Sequence, residues 1–479
     1  MLESNSVLKC AGADALENPL DGINSSWQLD ISTRVFNQFY SYASDPQKVN
    51  MGMGYTDEPM PVFLKHALLE AMDEPKAHQY CRFAGPAGLA EEVATKTSES
   101  FHRKINPIDE VLISFGASQC FHNFLTAFTR PDDEVVTFDP AFIFFNVLMI
   151  NMGLKVKSVS LLQDDKEDKD GQDGNSDKDG TGGFSFDRKE FEEAFTKNTK
   201  VLLLNNPHNP TGKVFNKEEL EWIADFLKHN HPKVMVLADA AYCDLVYDQH
   251  EFLQIGGLPD MWTRTVTIFS FGKTFSPTGW RLGFAVGPKP IIAAMSAVQT
   301  LTVTCVVTPV ALAAEKAMRK ARTEEFHGFP DYYAWMANSF QSKRDRIVQL
   351  LISSPLRFEV SKPQGGYFLL AKIDKAIENM PIRYFYSDFA KKDYNNEKLK
   401  SFDDWVNLPG TIANSPDFAF CHYMAIEWKI VALPLSAYTS TILMTPKERK
   451  GIHFIRISIC KSAESLDRLE KCLKLSGRE

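Results

Sequence analysis

The chain has 479 residues, 44% of them hydrophobic and 24% charged, and a formal net charge of −8 at pH 7. That length exceeds what one core can serve and predicts two or three domains or subdomains. The acidic balance excludes a nucleic-acid surface, which needs a basic face. The eight cysteines (10, 81, 120, 243, 305, 421, 460 and 472) include no Cys-x-x-Cys pair and the histidines no metal-ligand spacing. Reduced thiols are expected, and neither a disulfide frame nor a metal site.

The first twenty residues contain one lysine and no arginine. They show neither a secretory apolar core nor an Arg-rich transit helix, so the cytosol is the expected compartment, with the mitochondrion left open. A helical pattern covers Thr33–Tyr42. The turn-rich passage Met51–Pro61 then leads into a helix ending near Met72, with Pro61 in its first turn. A loop holding Tyr80 and Gly85–Gly88 precedes a charged helix from Ala90 to about His102.

From Glu110 the alternation of strand and helix predicts an α/β domain. Glu110–Ser114 reads as a strand, followed by a helix opening at Phe115-Gly116 with an apolar stripe of Phe121, Phe124, Leu125 and Phe128. Glu134–Phe138 and Lys155–Leu161 are the next strands. Residues 163–183 hold eight acidic and three basic side chains, five glycines and no apolar residue. Such a run cannot bury enough surface to order itself and predicts a disordered surface insertion. Its spacing lacks the bidentate Glu of a calcium loop.

Lys200–Asn205, Lys233–Asp239, Thr265–Phe269 and Leu282–Gly287 read as buried strands. Ile291–Ala314 is uncharged over 24 residues, long enough to cross a bilayer. Gln299, the threonines and Pro309 favour a buried helix and a loop at Thr308-Pro309 instead, so no membrane partner is expected. Beyond Arg319 come charged helices (Ser342–Leu351) and strands at Pro363–Leu370 and His453–Ile459. A smaller α+β domain built from both chain ends is predicted to close over the large one.

Crossovers between parallel strands place ligands at the C-terminal strand ends. Asn205 and Asn209, Asp239 and Lys273 all fall at such ends. A lysine leaving a buried strand is partly desolvated, which disfavours its ammonium form. It can then attack an aldehyde as a free amine. Ser270 and Arg281 supply a hydroxyl and a positive fork suited to a phosphate. An aldehyde and a phosphate in one ligand point to pyridoxal phosphate on Lys273.

Asp239 would keep a pyridine nitrogen protonated, or else cap a helix. Asn209 and Tyr242 suit a phenolate oxygen, although Asn-Pro also favours a turn. Phe142 offers a stacking face or a core side chain. Gly116–Gln119 opens a helix whose free N–H groups favour phosphate. Arg456, amid Ile and Phe, needs either a substrate carboxylate or an internal one.

Taken together, Asn-Pro-x-Asn-Pro-x-Gly, Asp-x-x-Tyr and Ser-x-x-Lys-x-x-x-x-x-Gly-x-Arg resemble the fold type I pyridoxal-phosphate aminotransferases. With Gly52–Pro59, His78-Gln-Tyr80 and Phe454–Ile457, the chain from about residue 50 onward looks like the kynurenine–oxoglutarate transaminase family. That family is also known as glutamine transaminase K and cysteine-S-conjugate β-lyase. The resemblance implies a large cofactor domain over 56–325 with a mostly parallel seven-stranded sheet, and a small domain from 1–55 and 326–479.

It also implies roles by position. Lys273 is joined to the cofactor, Asp239 faces its ring nitrogen, Asn209 and Tyr242 its phenolate oxygen, and Phe142 stacks on the ring. Ala117 and Ser118 (through backbone N–H groups), Ser270 and Arg281 hold the phosphate, and Tyr80 reaches the phosphate of a second subunit in a homodimer. Gly54, Asn209 and Arg456 hold the substrate carboxylate. The implied reaction is ping-pong amino transfer between an aromatic or sulfur-containing amino acid (kynurenine, glutamine, methionine or phenylalanine class) and a 2-oxo acid. β-Elimination on the same scaffold is the alternative, and a non-catalytic protein retaining the fold is a more distant one. Ser118, Ala141 and Ala240 depart from the family pattern, and the first two bear on substrate preference.

Overall fold

The computed structural model describes residues 31–163, 183–378, 380–385, 415–439 and 453–475. Its strands are β1 (Val49–Asn50), β2 (Val111–Ser114), β3 (Glu134–Asp139), β4 (Lys155–Gln163), β5 (Phe184–Phe186), β6 (Thr199–Asn205) and β7 (Met235–Asp239). They continue as β8 (Thr265–Ser270), β9 (Gly283–Val286), β10 (Glu359–Ser361), β11 (Phe368–Lys372), β12 (Ile430–Val431), β13 (Leu433–Pro434) and β14 (Phe454–Ser458).

One sheet runs β2-β9-β8-β7-β6-β3-β4-β5. The pairs among β4, β3, β6, β7 and β8 are parallel, whereas β9 runs antiparallel to both β8 and β2. The seven expected strands are present. The eighth, β5, follows the acidic stretch and adds an antiparallel edge in which Gln163 pairs with Phe184. Both ends of the insertion therefore meet at a hairpin; residues 164–182 themselves lie outside the described residues.

Strand β6 is buried at every position but Lys200, and β7 and β8 are nearly as closed. That is the continuous apolar texture of a sheet covered on both faces. Because Asn205 pairs with Asp239 and Asp239 with Ile268, the functional ends of β6, β7 and β8 lie side by side.

The second sheet runs β10-β11-β14-β13, and β1 near the chain start pairs in parallel with β12. Helices occupy Ile31–Ala43, Val62–Met72, Ala87–Ser98, Gly116–Phe128 and Tyr332–Ile352, near their expected places. Pro61 is the N-cap of its helix rather than a first-turn residue. The apolar run divides into helices Lys289–Thr302 and Thr308–Thr323, with Pro309 inside the first turn of the second. No helix among the described residues is long and apolar enough to cross a membrane. Pro363–Tyr367 is irregular, and the strand expected there begins only at Phe368.

Candidate active site

Where the ends of β6, β7 and β8 converge, a cavity of about 370 Å³ opens. Eleven of the twelve residues singled out above for the site line it, from Gly54, Ala117 and Ser118 through Asp239 and Lys273 to Arg456. Tyr80 is the one that does not. It is 83% exposed on the surface of the chain.

Lys273 sits on the short helix Phe271–Thr274 that directly continues β8. Burial brings its amine down to about 8, with the cations of Arg456, Lys461 and Arg281 pushing the same way. The Nζ donates to the carbonyl of Gly54 at 2.5 Å. The turn is crowded: a side chain at Gly272 would meet the Thr278 backbone at 2.8 Å.

Asp239, at the end of β7, is pushed up to about 7 by burial. Its Oδ1 accepts from the Ala241 N–H at 3.1 Å, and among the described residues no cation forms an ion pair with it. No regular helix starts at Asp239, so a cap is not its role. The arrangement is unstable in itself and suits a buried cationic partner.

Asn209 is fixed through its N–H to Asn205 Oδ1 at 2.7 Å, and its own Oδ1 accepts from Arg456 Nη1 at 3.2 Å. Tyr242 is buried beside them, and burial holds its hydroxyl well above the ordinary phenol range.

The helix Gly116–Phe128 has no side-chain cap, and Ala117 and Ser118 lie in its first turn. Those N–H groups, with the Arg281 guanidinium nearby, form an anion cradle. Gly116 has φ +75°, and a Cβ there would approach Arg281 Nη2 to 2.9 Å. Only glycine leaves that approach open.

Arg456, in β14, is buried with Nη2 on the Gly52 carbonyl at 2.8 Å, while its Nε has no partner. The rings of Phe368 and Tyr438 lie 3.7 and 4.4 Å from the guanidinium carbon. No internal carboxylate pairs with it among the described residues, which leaves room for an external one.

Several cavity residues were not foreseen: Phe36 and Tyr40 on the helix Ile31–Ala43, Tyr55, Thr278 and Phe368. Only a crowding signal could have found Phe368, whose Cζ would lie 2.5 Å from a Cβ on Gly54. Ser118 lines the cavity as expected. Ala141 does not: it is buried and donates its N–H to the Tyr438 carbonyl at 2.6 Å. Ala240 is buried beneath the site. Among the described residues no cluster of His, Cys, Asp and Glu could hold a metal.

An amine, a carboxyl without a cation and an anion cradle in one cavity fit pyridoxal 5′-phosphate, and this fold carrying that set defines a fold type I pyridoxal-phosphate enzyme. Residues 46–471 match the family model described as aminotransferase class I and II. Kynurenine–oxoglutarate transaminase 3 of Bos taurus is 30% identical over 94% of this chain and 89% of its own length. Kynurenine–oxoglutarate transaminase 1 of Homo sapiens is 30% identical over 91% of this chain and 94% of its own length. Among solved structures, N-succinyldiaminopimelate aminotransferase of Mycobacterium tuberculosis superposes with a TM-score of 0.73 at 25% identity, covering 94% of this chain and all of that one. The chain belongs to the class I and II aminotransferases and is a pyridoxal-phosphate-dependent transaminase.

Proposed function

We propose that the amino donor is an aromatic or sulfur-containing amino acid in the range of kynurenine, glutamine, methionine and phenylalanine, and that the acceptor is a 2-oxo acid. The supporting observation is the aromatic content of the cavity, which Phe36, Tyr40, Tyr55 and Phe368 line together with Lys273. Names of the relatives point the same way.

The roles follow from the chemistry of each side chain. Lys273 would hold the cofactor through its amine, Asp239 would face the ring nitrogen, Asn209 and Tyr242 the phenolate oxygen, and Phe142 the ring face. Ser270, Arg281 and the N–H groups of Ala117 and Ser118 would hold the phosphate. When bound, the cofactor supplies an electron sink for the carbanion at the substrate α-carbon. Arg456 grips the substrate carboxylate with a planar fork, assisted by Asn209 and the backbone at Gly54. That grip presents the α-hydrogen to the Lys273 amine. An amine lowered to about 8 can take that proton and return it near neutral pH.

We infer that the working unit is a homodimer. Tyr80 stands on a face that also exposes Phe83 (50%), Leu301 (89%) and Val307 (46%). The two segments that carry these side chains are tied together by Thr308 Oγ1 on the Gln79 carbonyl at 2.7 Å and Gln299 Nε2 on the Phe83 carbonyl at 3.0 Å. We read 56–325 as the large domain and 1–55 with 326–479 as the small one, since β1 joins β12 and the second sheet draws only on later strands. Among the described residues no two cysteines form a disulfide, which supports a cytosolic setting.

Borohydride reduction of the loaded enzyme followed by peptide mapping tests the centre of this reading. The label is expected on Lys273, and a label elsewhere overturns it. A substrate panel followed by the cofactor's visible spectrum tests the donor class. Rapid conversion by aspartate and none by aromatic or sulfur-containing donors would contradict it.

A further inference from the structure

Four consecutive carbonyls, those of residues 52 to 55, each accept a hydrogen bond from a basic side chain. Arg456 Nη2 donates to Gly52 O at 2.8 Å. Lys461 Nζ donates to Met53 O at 2.9 Å and to Tyr55 O at 2.7 Å. Lys273 Nζ donates to Gly54 O, the carbonyl between those two. The ribbon thus presents its carbonyl dipoles to three basic side chains at once.

Lys461 is the member of this set that does not line the cavity. It is buried, and among the described residues no carboxylate lies within ion-pair distance of it. Its ammonium also lies 4.8 Å from the centre of the Tyr55 ring. An unpaired buried ammonium is costly unless its hydrogen bonds are strong. Here both go to neutral backbone groups, so the stabilisation falls on the ribbon's geometry. The same stretch is pinned on its far side. Asp57 accepts from the Ser462 N–H at 2.5 Å and from the Ser465 hydroxyl, and Lys343 pairs with Glu58 at 2.7 Å.

We propose that Lys461 is a positioning residue for the transamination: it bridges the carbonyls of Met53 and Tyr55 so that the Gly54 carbonyl between them stays aimed at the Lys273 amine. The inference rests on the reading of Lys273 given above. The Gly54 carbonyl is then a fixed rest for that amine, holding its lone pair in one direction between proton transfers. With the bridge removed, residues 53–55 can rotate and the amine loses its orientation. Arg456 keeps its own anchor on Asn209, so carboxylate binding should survive.

Lys461→Met and Lys461→Arg, with Asp57→Ala as a milder change outside the buried cluster, separate the outcomes. Lys461→Met is expected to lower kcat at least tenfold with KM for the amino donor changed less than threefold, and Lys461→Arg to restore most of kcat. Asp57→Ala should lower kcat two- to fivefold. In cofactor-free protein, hydrogen exchange in the peptide covering 51–58 should quicken at least tenfold in Lys461→Met and less in Asp57→Ala. That readout is independent of whether Lys273 is the cofactor lysine, which the borohydride mapping decides separately. Unchanged kcat and unchanged exchange in Lys461→Met overturn the proposal, as does a loss confined to KM. Should Lys461→Met fail to fold, wild-type kcat and exchange in Asp57→Ala overturn it equally.

Discussion

Asp239 and Lys273 are both held in a form that burial favours, and the consequence for stability has opposite signs. Asp239 is raised from 3.8 to about 7, so between those values the native chain binds more protons than the unfolded one. Stability therefore falls as pH rises through that window. Lys273 is lowered from 10.5 to about 8, so from pH 8 to 10.5 the unfolded chain binds more protons and stability rises with pH. These two groups together make cofactor-free protein weakest near pH 7–8. Asp239→Asn should raise its stability by about 4 kcal/mol at pH 8, a gain that shrinks to near zero at pH 4. Urea midpoints of the two proteins at both pH values measure this, and the same substitution should cost at least ~100-fold in kcat. For Arg456→Lys, loss of the planar fork should raise KM for the amino donor ~10–100-fold, read from initial rates. Both residues were legible in the chain, Asp239 as a carboxyl ending an apolar strand and Arg456 as a cation among Ile and Phe. Lys461 was not, because Ser-Ile-Cys-Lys at the close of a strand looks like any strand reaching solvent.

At the level of elements, the turn after β8 is fixed by groups from three other parts of the chain. Tyr367 Oη donates to the Lys273 carbonyl at 2.5 Å and Tyr332 Oη to the Thr274 carbonyl at 2.9 Å. Thr274 Oγ1 donates to Asp244 at 2.8 Å, and Asp244 in turn pairs with Lys96. Tyr367→Phe leaves a buried carbonyl short of a donor and should cost ~1–2 kcal/mol, with kcat reduced several-fold at unchanged cofactor occupancy. Thermal melts and absorbance separate the two effects. Gly116→Ala forces a side chain into φ +75° and against Arg281. It should weaken cofactor binding by about tenfold or more, as the ~1–2 kcal/mol strain of that backbone region requires, and equilibrium titration would read it. The strands bearing Asn205, Asp239 and Lys273 announced themselves through apolar runs ending in polar residues. The tyrosines did not, since Tyr367 lies 94 residues from its acceptor and pairing at that separation leaves no periodic trace. The edge strand β5 was missed because Phe184–Phe186 is too short to show alternation.

For the molecule as a whole, the acidic insertion leaves and re-enters at the β4–β5 hairpin. Its removal leaves that pairing of β4 with β5 to be joined by a shorter connection. Replacing 164–182 by a short turn should leave the melting temperature within about 2 °C and kcat unchanged, because loop closure depends weakly on length. The change of texture past Arg319 precedes the strands β10–β14 of the second sheet, whereas the β1–β12 pairing between residues 49–50 and 430–431 was not readable. The outward stance of Tyr80 carries a genetic corollary. On the proposed dimer, a Lys273→Ala chain still lends its tyrosine, and a Tyr80→Ala chain still owns its lysine. Co-expressed, two crippled alleles should complement: half the dimers formed at random are hybrids with one sound centre each, returning about a quarter of wild-type activity.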